Sequence, residues 1–212
     1  MEKNKGLNGY MEYLINKNYK EEFAQLVSLV FNAPLVAIPI FVLINYTLVS
    51  GNNFIFYSIV SVIFAAILPM AISGFWIFRK KIEMDMPNKS DRIYPLIMVI
   101  ISYIIGTLIL YVIKAPPVTT VLMFCYLFNT IVVLFISLFW KISIHVMGIS
   151  GPTPILIYVF GYWGVLFGLI IPVVMWSRLY LKRHTLYQVI AGAVLGFVLT
   201  TLQIYLLLYN AF

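Results

Sequence analysis

Charged side chains are scarce in this chain of 212 residues. Only 10% of the residues are charged and 63% are hydrophobic. Uncharged stretches repeatedly exceed the ~20 residues that cross the hydrocarbon core of a bilayer. A soluble hydrophobic core is therefore excluded, and we expect an all-α fold, a polytopic bundle of six to seven transmembrane helices.

Cysteine and acidic residues are also few. Cys125 is the single cysteine, which excludes an internal disulfide or a cysteine metal site within one chain. No pair of the seven acidic residues is spaced with a histidine as a zinc or magnesium site requires. We therefore expect chemistry that needs neither a metal ion nor a cofactor.

The net charge of +7 comes from basic residues between the apolar spans and in the N-terminal tail. This distribution favours a membrane surface or a phosphorylated lipid as partner, rather than nucleic acid. Residues 1–22 lack the pattern of a signal peptide. Leu7, Met11, Leu14 and Ile15 recur at roughly helical spacing, which predicts an amphipathic segment on the membrane surface; a frayed polar tail is the alternative.

Residues 23–212 form one predicted membrane domain. Its apolar spans lie at about 23–49, 54–78, 93–113, 118–140, 146–176 and 186–209. Nearly every polar group outside the N-terminal tail falls in the intervening segments 79–95, 141–148 and 177–188. The candidate chemistry therefore lies in these three segments. Two glycine pairs, Gly164/Gly168 and Gly192/Gly196, have the spacing that lets helices pack closely.

The two histidines of the chain both lie in these polar segments. His145 follows Lys141 and Ser143, whereas His184 follows a segment with a serine and three basic residues, Ser177, Arg178, Lys182 and Arg183. Cations stabilise the oxygens of a transferring phosphoryl group, while one imidazole attacks phosphorus and another protonates the leaving group. This combination indicates phosphoryl transfer.

The third segment resembles a motif of the type-2 phosphatidic acid phosphatases, a family that shares its site with the vanadium haloperoxidases. That motif reads Ser-Arg, five residues, His, three residues, Asp. Ser177, Arg178 and His184 match it in type and spacing, and Gln188 stands in the place of the aspartate.

The other two segments resemble the family's remaining motifs less closely. The second motif, Pro-Ser-Gly-His, is matched by Ser143 and His145 but has isoleucine in place of its proline and glycine. The first, Lys, six residues, Arg-Pro, resembles 85–95, where Lys89 and Arg92 are three apart and the proline is delayed.

The resemblance implies a role for each residue of the candidate site. His184 is the expected nucleophile, and His145 the acid that protonates the leaving oxygen and then activates water. Lys89, Arg92, Ser143 and Arg178 are expected to bind the phosphate, with Lys141 in support. Gln188 can accept the ring proton of His184 but offers no charge, so Asp85 or Asp91 is a candidate for the missing acid.

A single site requires all three segments on one face of the membrane. Residues 146–176 are fewer than the ~40 that two full spans require, so we expect two short helices that turn near Tyr162-Trp163-Gly164, with Gly151, Pro152 and Pro154 forming an irregular start. Every Lys and Arg except Lys114 then lies on the side of the site. The positive-inside rule predicts that this side is cytoplasmic, in a multi-pass protein of the cell membrane.

The expected function is hydrolysis of a lipid phosphate or pyrophosphate through a phosphohistidine. By resemblance to compact members of the family, a polyprenyl or dolichyl (pyro)phosphate is the first candidate substrate, and a phosphatidate-like lipid is the second.

A non-catalytic lipid-binding or scaffold protein of the same fold is the alternative, because Gln188 replaces the acid. A transporter is disfavoured, since the charges lie in or beside loops. The sequence does not specify an oligomeric state.

Overall fold

The computed structural model describes residues 19–82, 86, 88 and 90–209. Most of the predicted N-terminal segment 1–22 and two candidate site residues, Asp85 and Lys89, lie outside this description. The described part is helical, without strands, and its eight helices are α1 Tyr19–Val30, α2 Ala33–Leu48, α3 Asn53–Lys80, α4 Ser90–Val112, α5 Pro117–Phe139, α6 Ile144–Phe160, α7 Tyr162–Tyr180 and α8 Leu186–Tyr209.

Five of these helices are long and apolar enough to cross a membrane, or six if the bent pair α1–α2 counts as one span. The prediction of an all-helical, multi-pass membrane protein is therefore confirmed. The ends of α3, α4, α5 and α8 lie within about three residues of the predicted spans. With 17 residues, α6 has a length of about 25 Å at 1.5 Å per residue, so a seventh crossing stays a prediction.

The first predicted span, 23–49, differs from the structure because it is broken into α1 and α2, which are bent by 51°. Asn32 has an extended backbone at the start of α2, and Pro34 occupies the first turn of that helix. Proline is tolerated there because the first N–H groups of a helix have no partner in the helix, whereas in an unbroken helix Pro34 would remove a backbone hydrogen bond and clash with the carbonyl of Val30. The break is the consequence.

The second of the two helices that were expected to be short, α7, has 19 residues and is long enough to cross a membrane. The predicted turn between the two helices is confirmed at Gly161, one residue before the expected position. Its φ of +57° lies in the region that favours glycine. The two helices fold back on each other closely, because a Cβ on Gly164 would lie 2.3 Å from the backbone of Leu156 and Ile157. The irregular start is also present, as Gly151 and Pro152 interrupt the regular helical pattern of α6.

The glycine pair of α8 brings that helix against α6. A Cβ on Gly192 would lie 2.7 Å from the carbonyl oxygen of Ser143, and one on Gly196 would lie 2.3 Å from Ser150 Oγ. Close packing was the predicted role of both glycines. It places the beginning of α6 beside the beginning of α8, so that the second and third polar segments meet at one end of the bundle.

Candidate functional site

A cavity of about 410 Å³ opens between the helices at this end of the bundle. Four candidate residues from the three polar segments line it: Arg92, His145, Arg178 and His184. Most of its remaining wall is apolar and comes from the α1–α2 bend and from α3, α4, α5 and α6. A basic end with two histidines therefore continues into an apolar interior.

The depth of the cavity follows from the residues that α4 contributes. Arg92 and Tyr103 both line the cavity, and they are separated by 11 positions, or about 16 Å along the helix. At the deeper level the ring of Tyr103 contacts Tyr126, which lines the cavity from α5. The cavity thus extends from the basic end well into the membrane-spanning part of the bundle.

His184 lies in the short connection between α7 and α8 and is held by Gln188 one helical turn later. The two side chains are in contact, with 3.0 Å between Nδ1 of the imidazole and Oε1 of the amide. Oε1 also accepts the backbone N–H of Thr185 at 3.2 Å, in the manner of a capping box at the start of α8. One amide oxygen therefore serves both the helix end and the imidazole.

This double contact determines which nitrogen of His184 carries its proton. A backbone N–H can only donate, so the atom of Gln188 that faces Thr185 must be the oxygen. Because the same oxygen faces Nδ1, the imidazole donates from Nδ1. In the neutral ring Nε2 then keeps its lone pair, which is the state that a nucleophile requires.

The surroundings keep His184 neutral. Burial is the main cause that lowers its pKa, to about 3, and the positive charges of Arg178, Arg92 and Lys141 act in the same direction, whereas the hydrogen bond with Gln188 acts in the opposite one. Three cations therefore lie close enough to the imidazole to affect it. A site of this kind is arranged to receive an anion.

The two arginines are buried and tied to the backbone or to a neighbouring helix. Arg92, 4% exposed, donates from Nε to the carbonyl of Met86 at 3.0 Å and from Nη1 to that of Ile142 at 3.2 Å. Arg178, 1% exposed, donates from Nη1 to the hydroxyl of Ser28 on α1. These bonds fix both guanidinium groups beside the cavity.

Lys141 and Ser143 organise the connection between α5 and α6. Lys141 donates from Nζ to the carbonyl of Arg183 at 3.0 Å, which joins the loop before α6 to the loop that carries His184. Ser143 is fully buried at the start of α6, and its hydroxyl accepts the N–H of Val146 at 3.5 Å. Its own N–H donates to the carbonyl of Gln188 at 3.3 Å. Both residues thus connect the second polar segment to the third.

The structure places the predicted site residues in three groups. Four of them line the cavity together. Gln188 and Lys141 lie outside the cavity wall, where Gln188 contacts His184 and Lys141 donates to the carbonyl of the preceding residue, Arg183. Ser143 is not part of the cavity wall, so its expected bond to the phosphate stays a prediction. Asp91 is half-buried at the start of α4, where its carboxylate accepts from the amide of Asn88 at 3.2 Å. Among the described residues, Asp91 is not one of the groups that shift the pKa of His184.

Sequence reasoning missed the contribution of α1. Ser28 contacts Arg178 directly, although 150 positions separate them. A serine inside an apolar span carries no signal of this role, because Ser and Thr commonly bond to their own helix backbone. No group of three or more His, Cys, Asp or Glu residues that could hold a metal ion occurs among the residues that the structure describes.

The fold and the site define the class of protein as a multi-pass helical membrane protein with a basic, histidine-containing cavity. Comparison with protein-family models, curated proteins and solved structures finds no match to this chain. The resemblance to the type-2 phosphatidic acid phosphatases therefore rests on the motif residues alone.

Proposed function

We propose that this protein is a metal-independent phosphatase that hydrolyses a phosphate or pyrophosphate group on a membrane lipid. The observation that carries the proposal is the common position of Arg92, His145, Arg178 and His184 on the wall of one cavity that is otherwise mostly apolar. The basic end suits a phosphate headgroup, and the apolar interior suits a lipid chain.

In the proposed reaction the phosphate lies between the two guanidinium groups. Nε2 of His184 attacks phosphorus while the bond to the leaving oxygen breaks, and His145 gives its proton to that oxygen. Neutral His145 then takes a proton from water, whose oxygen attacks phosphorus and releases inorganic phosphate, regenerating His184. Arg92 and Arg178 stabilise the charge on the phosphoryl oxygens throughout. Lys89 and Ser143 are proposed as further phosphate ligands.

Gln188 supports this reaction without the charge of an aspartate. Its oxygen holds the Nδ1–H of His184, so the lone pair of Nε2 is available for attack. It does not neutralise the imidazolium character that develops when phosphorus is bound. We infer that the phosphoryl group itself, which stays anionic, provides most of that stabilisation here.

The cavity supports a substrate with a long apolar chain. It extends about 16 Å past Arg92, with Tyr103 at the deeper level, so the first part of a chain can lie inside the bundle while its remainder lies in the bilayer. A polyprenyl or dolichyl phosphate or pyrophosphate is the proposed substrate, and a phosphatidate-like lipid is the second candidate. The charge distribution supports a site on the cytoplasmic side of the cell membrane.

The test is release of inorganic phosphate from a panel of lipid phosphates by the purified protein in detergent with a metal chelator. We expect release from polyprenyl phosphate, its loss in His184→Asn, and no loss in Ser102→Ala, whose buried hydroxyl bonds to the carbonyl of Phe64 away from the cavity. Activity that chelation abolishes and magnesium restores would overturn the metal-independent mechanism. Binding of lipid phosphate without release would favour the non-catalytic alternative.

A further inference from the structure

The first helix contacts two consecutive residues of the third polar segment, of which the second, Arg178, lines the cavity. The hydroxyl of Ser177 donates to the carbonyl of Ala24 at 2.7 Å, and Nη1 of Arg178 donates to the hydroxyl of Ser28. Ala24 and Ser28 are four residues apart and therefore lie on the same face of α1. This face, with Val27 also buried, packs against the C-terminal end of α7.

A second face of α1 is apolar and exposed, although Phe23 on this face also contacts the ring of Trp176 on α7. Tyr19, Phe23, Leu26 and Val30 recur at helical spacing and are each at least 48% exposed. In a membrane protein such a face contacts lipid. One face of α1 is thus suited to contact lipid, while the other contacts Arg178 through Ser28.

The bond to Ser28 matters because an arginine side chain has many rotamers. A guanidinium group is a rigid, planar fork of five N–H donors, so the bond from Nη1 to Ser28 helps to fix the direction of the whole group. Fixing the group before the substrate binds lowers the ordering cost that binding otherwise carries. Arg178 is fully buried, which makes its direction depend on its neighbours.

We propose that Ser28 is a positioning residue that holds Arg178 in the orientation required to bind the phosphate. The assignment deepens the proposed function and rests on it. It also makes α1 a structural part of the phosphate site. The role belongs to the hydroxyl of Ser28 and not to the volume of its side chain.

The experiment compares Ser28→Thr with Ser28→Val, because threonine and valine have nearly the same shape and only threonine has a hydroxyl. Binding of inorganic phosphate and of vanadate is measured by the thermal shift of the purified full chain and by competitive inhibition. We expect Ser28→Thr to stay close to the parent protein, and Ser28→Val to bind both oxyanions about tenfold more weakly, equivalent to about 1.4 kcal/mol.

The matched control is Ser102→Ala, which removes another buried hydroxyl that joins two helices. It should lower the thermal midpoint without changing oxyanion binding. Equal weakening in Ser28→Thr and Ser28→Val, or in Ser102→Ala, would overturn the positioning role and leave a packing role. If the parent binds oxyanions and Ser28→Val binds them equally well, the inference fails while the proposed function stands; if the parent binds none, both fail.

Discussion

Replacement of Gln188 tests how a neutral residue orients the nucleophile. Its Oε1 lies 3.0 Å from Nδ1 of His184 and 3.2 Å from the N–H of Thr185. Gln188→Ala removes both contacts. Gln188→Glu keeps an oxygen within the same reach and adds a negative charge, whereas Gln188→Asp adds the charge on a side chain one methylene shorter.

The expected sizes follow from these contacts. Loss of the contact to Thr185 weakens the start of α8 by about 1 kcal/mol, the usual cost of a helix cap. Loss of the contact to His184 frees the imidazole to rotate and to exchange its proton between the two nitrogens. We expect turnover to fall roughly ten- to a hundredfold in Gln188→Ala, at the lower end of the range for losing an acid–base contribution. Gln188→Glu should retain or raise turnover, because a carboxylate stabilises the developing positive charge.

The assay is phosphate release from lipid phosphate across pH 4 to 8, read together with thermal midpoints in detergent. Thr185→Ala is the control, since it weakens the same cap and leaves the contact between Gln188 and His184 in place. A negative charge raises the pKa of His184 from its low value, so the acid limb of activity should move to higher pH in Gln188→Glu. Parent-like turnover in all three Gln188 variants would refute the orienting role and leave Gln188 as a capping residue.

Three further predictions concern packing, the neutral state of His184 and the transition state. Gly192→Ala should lower both stability and activity, because its Cβ would meet the carbonyl of Ser143 at 2.7 Å. Gly74→Ala, with open space around its Cβ, should leave the thermal midpoint unchanged. Thermal midpoints compare the two variants, and turnover is measured for Gly192→Ala. The pKa of His184 is lowered to about 3 in the folded chain, whereas its ordinary value of 6.5 applies to the unfolded chain. Between these two pH values the unfolded chain binds one more proton than the folded chain, so the free energy of unfolding decreases as the pH falls through this range. The thermal midpoint of His184→Gln should therefore depend less steeply on pH, and an equal slope would contradict the neutral histidine. Vanadate should inhibit phosphate release competitively in the presence of a chelator, because its trigonal-bipyramidal form resembles the transferring phosphoryl group; full activity at saturating vanadate would count against attack by His184.

Much of the fold follows from local sequence signals. Long apolar spans and the joints between them predict α3, α4, α5 and α8 within a few residues, because each helix must satisfy its own backbone in lipid. The requirement that the three polar segments share one face predicts the turn that the structure has at Gly161. The bend between α1 and α2 was not predicted, although Pro34 is a local signal that could have indicated it.

Contacts in the candidate site could be predicted only where residue type and spacing along the sequence specify them. His184 and Gln188 are one helical turn apart, so their contact follows from the geometry of a helix. The link between Ser28 and Arg178 joins residues 150 positions apart, and no local pattern specifies such a contact. Ser143 has the expected residue type in the expected segment, yet its buried position at the start of α6 depends on the packing of α8.

Capture of a covalent phosphohistidine on His184 tests the proposed reaction at its first step. The purified protein is mixed with lipid phosphate that carries a radioactive phosphoryl group, in the presence of a chelator, and is quenched in alkali, which preserves phosphohistidine. We expect label on the peptide that contains His184 and no label in His184→Asn. In His145→Asn, bound label should be lost more slowly after excess unlabelled substrate is added, because water is activated too slowly to release the phosphoryl group. Phosphate release that proceeds without label on His184, or label that persists in His184→Asn, would contradict the proposed reaction.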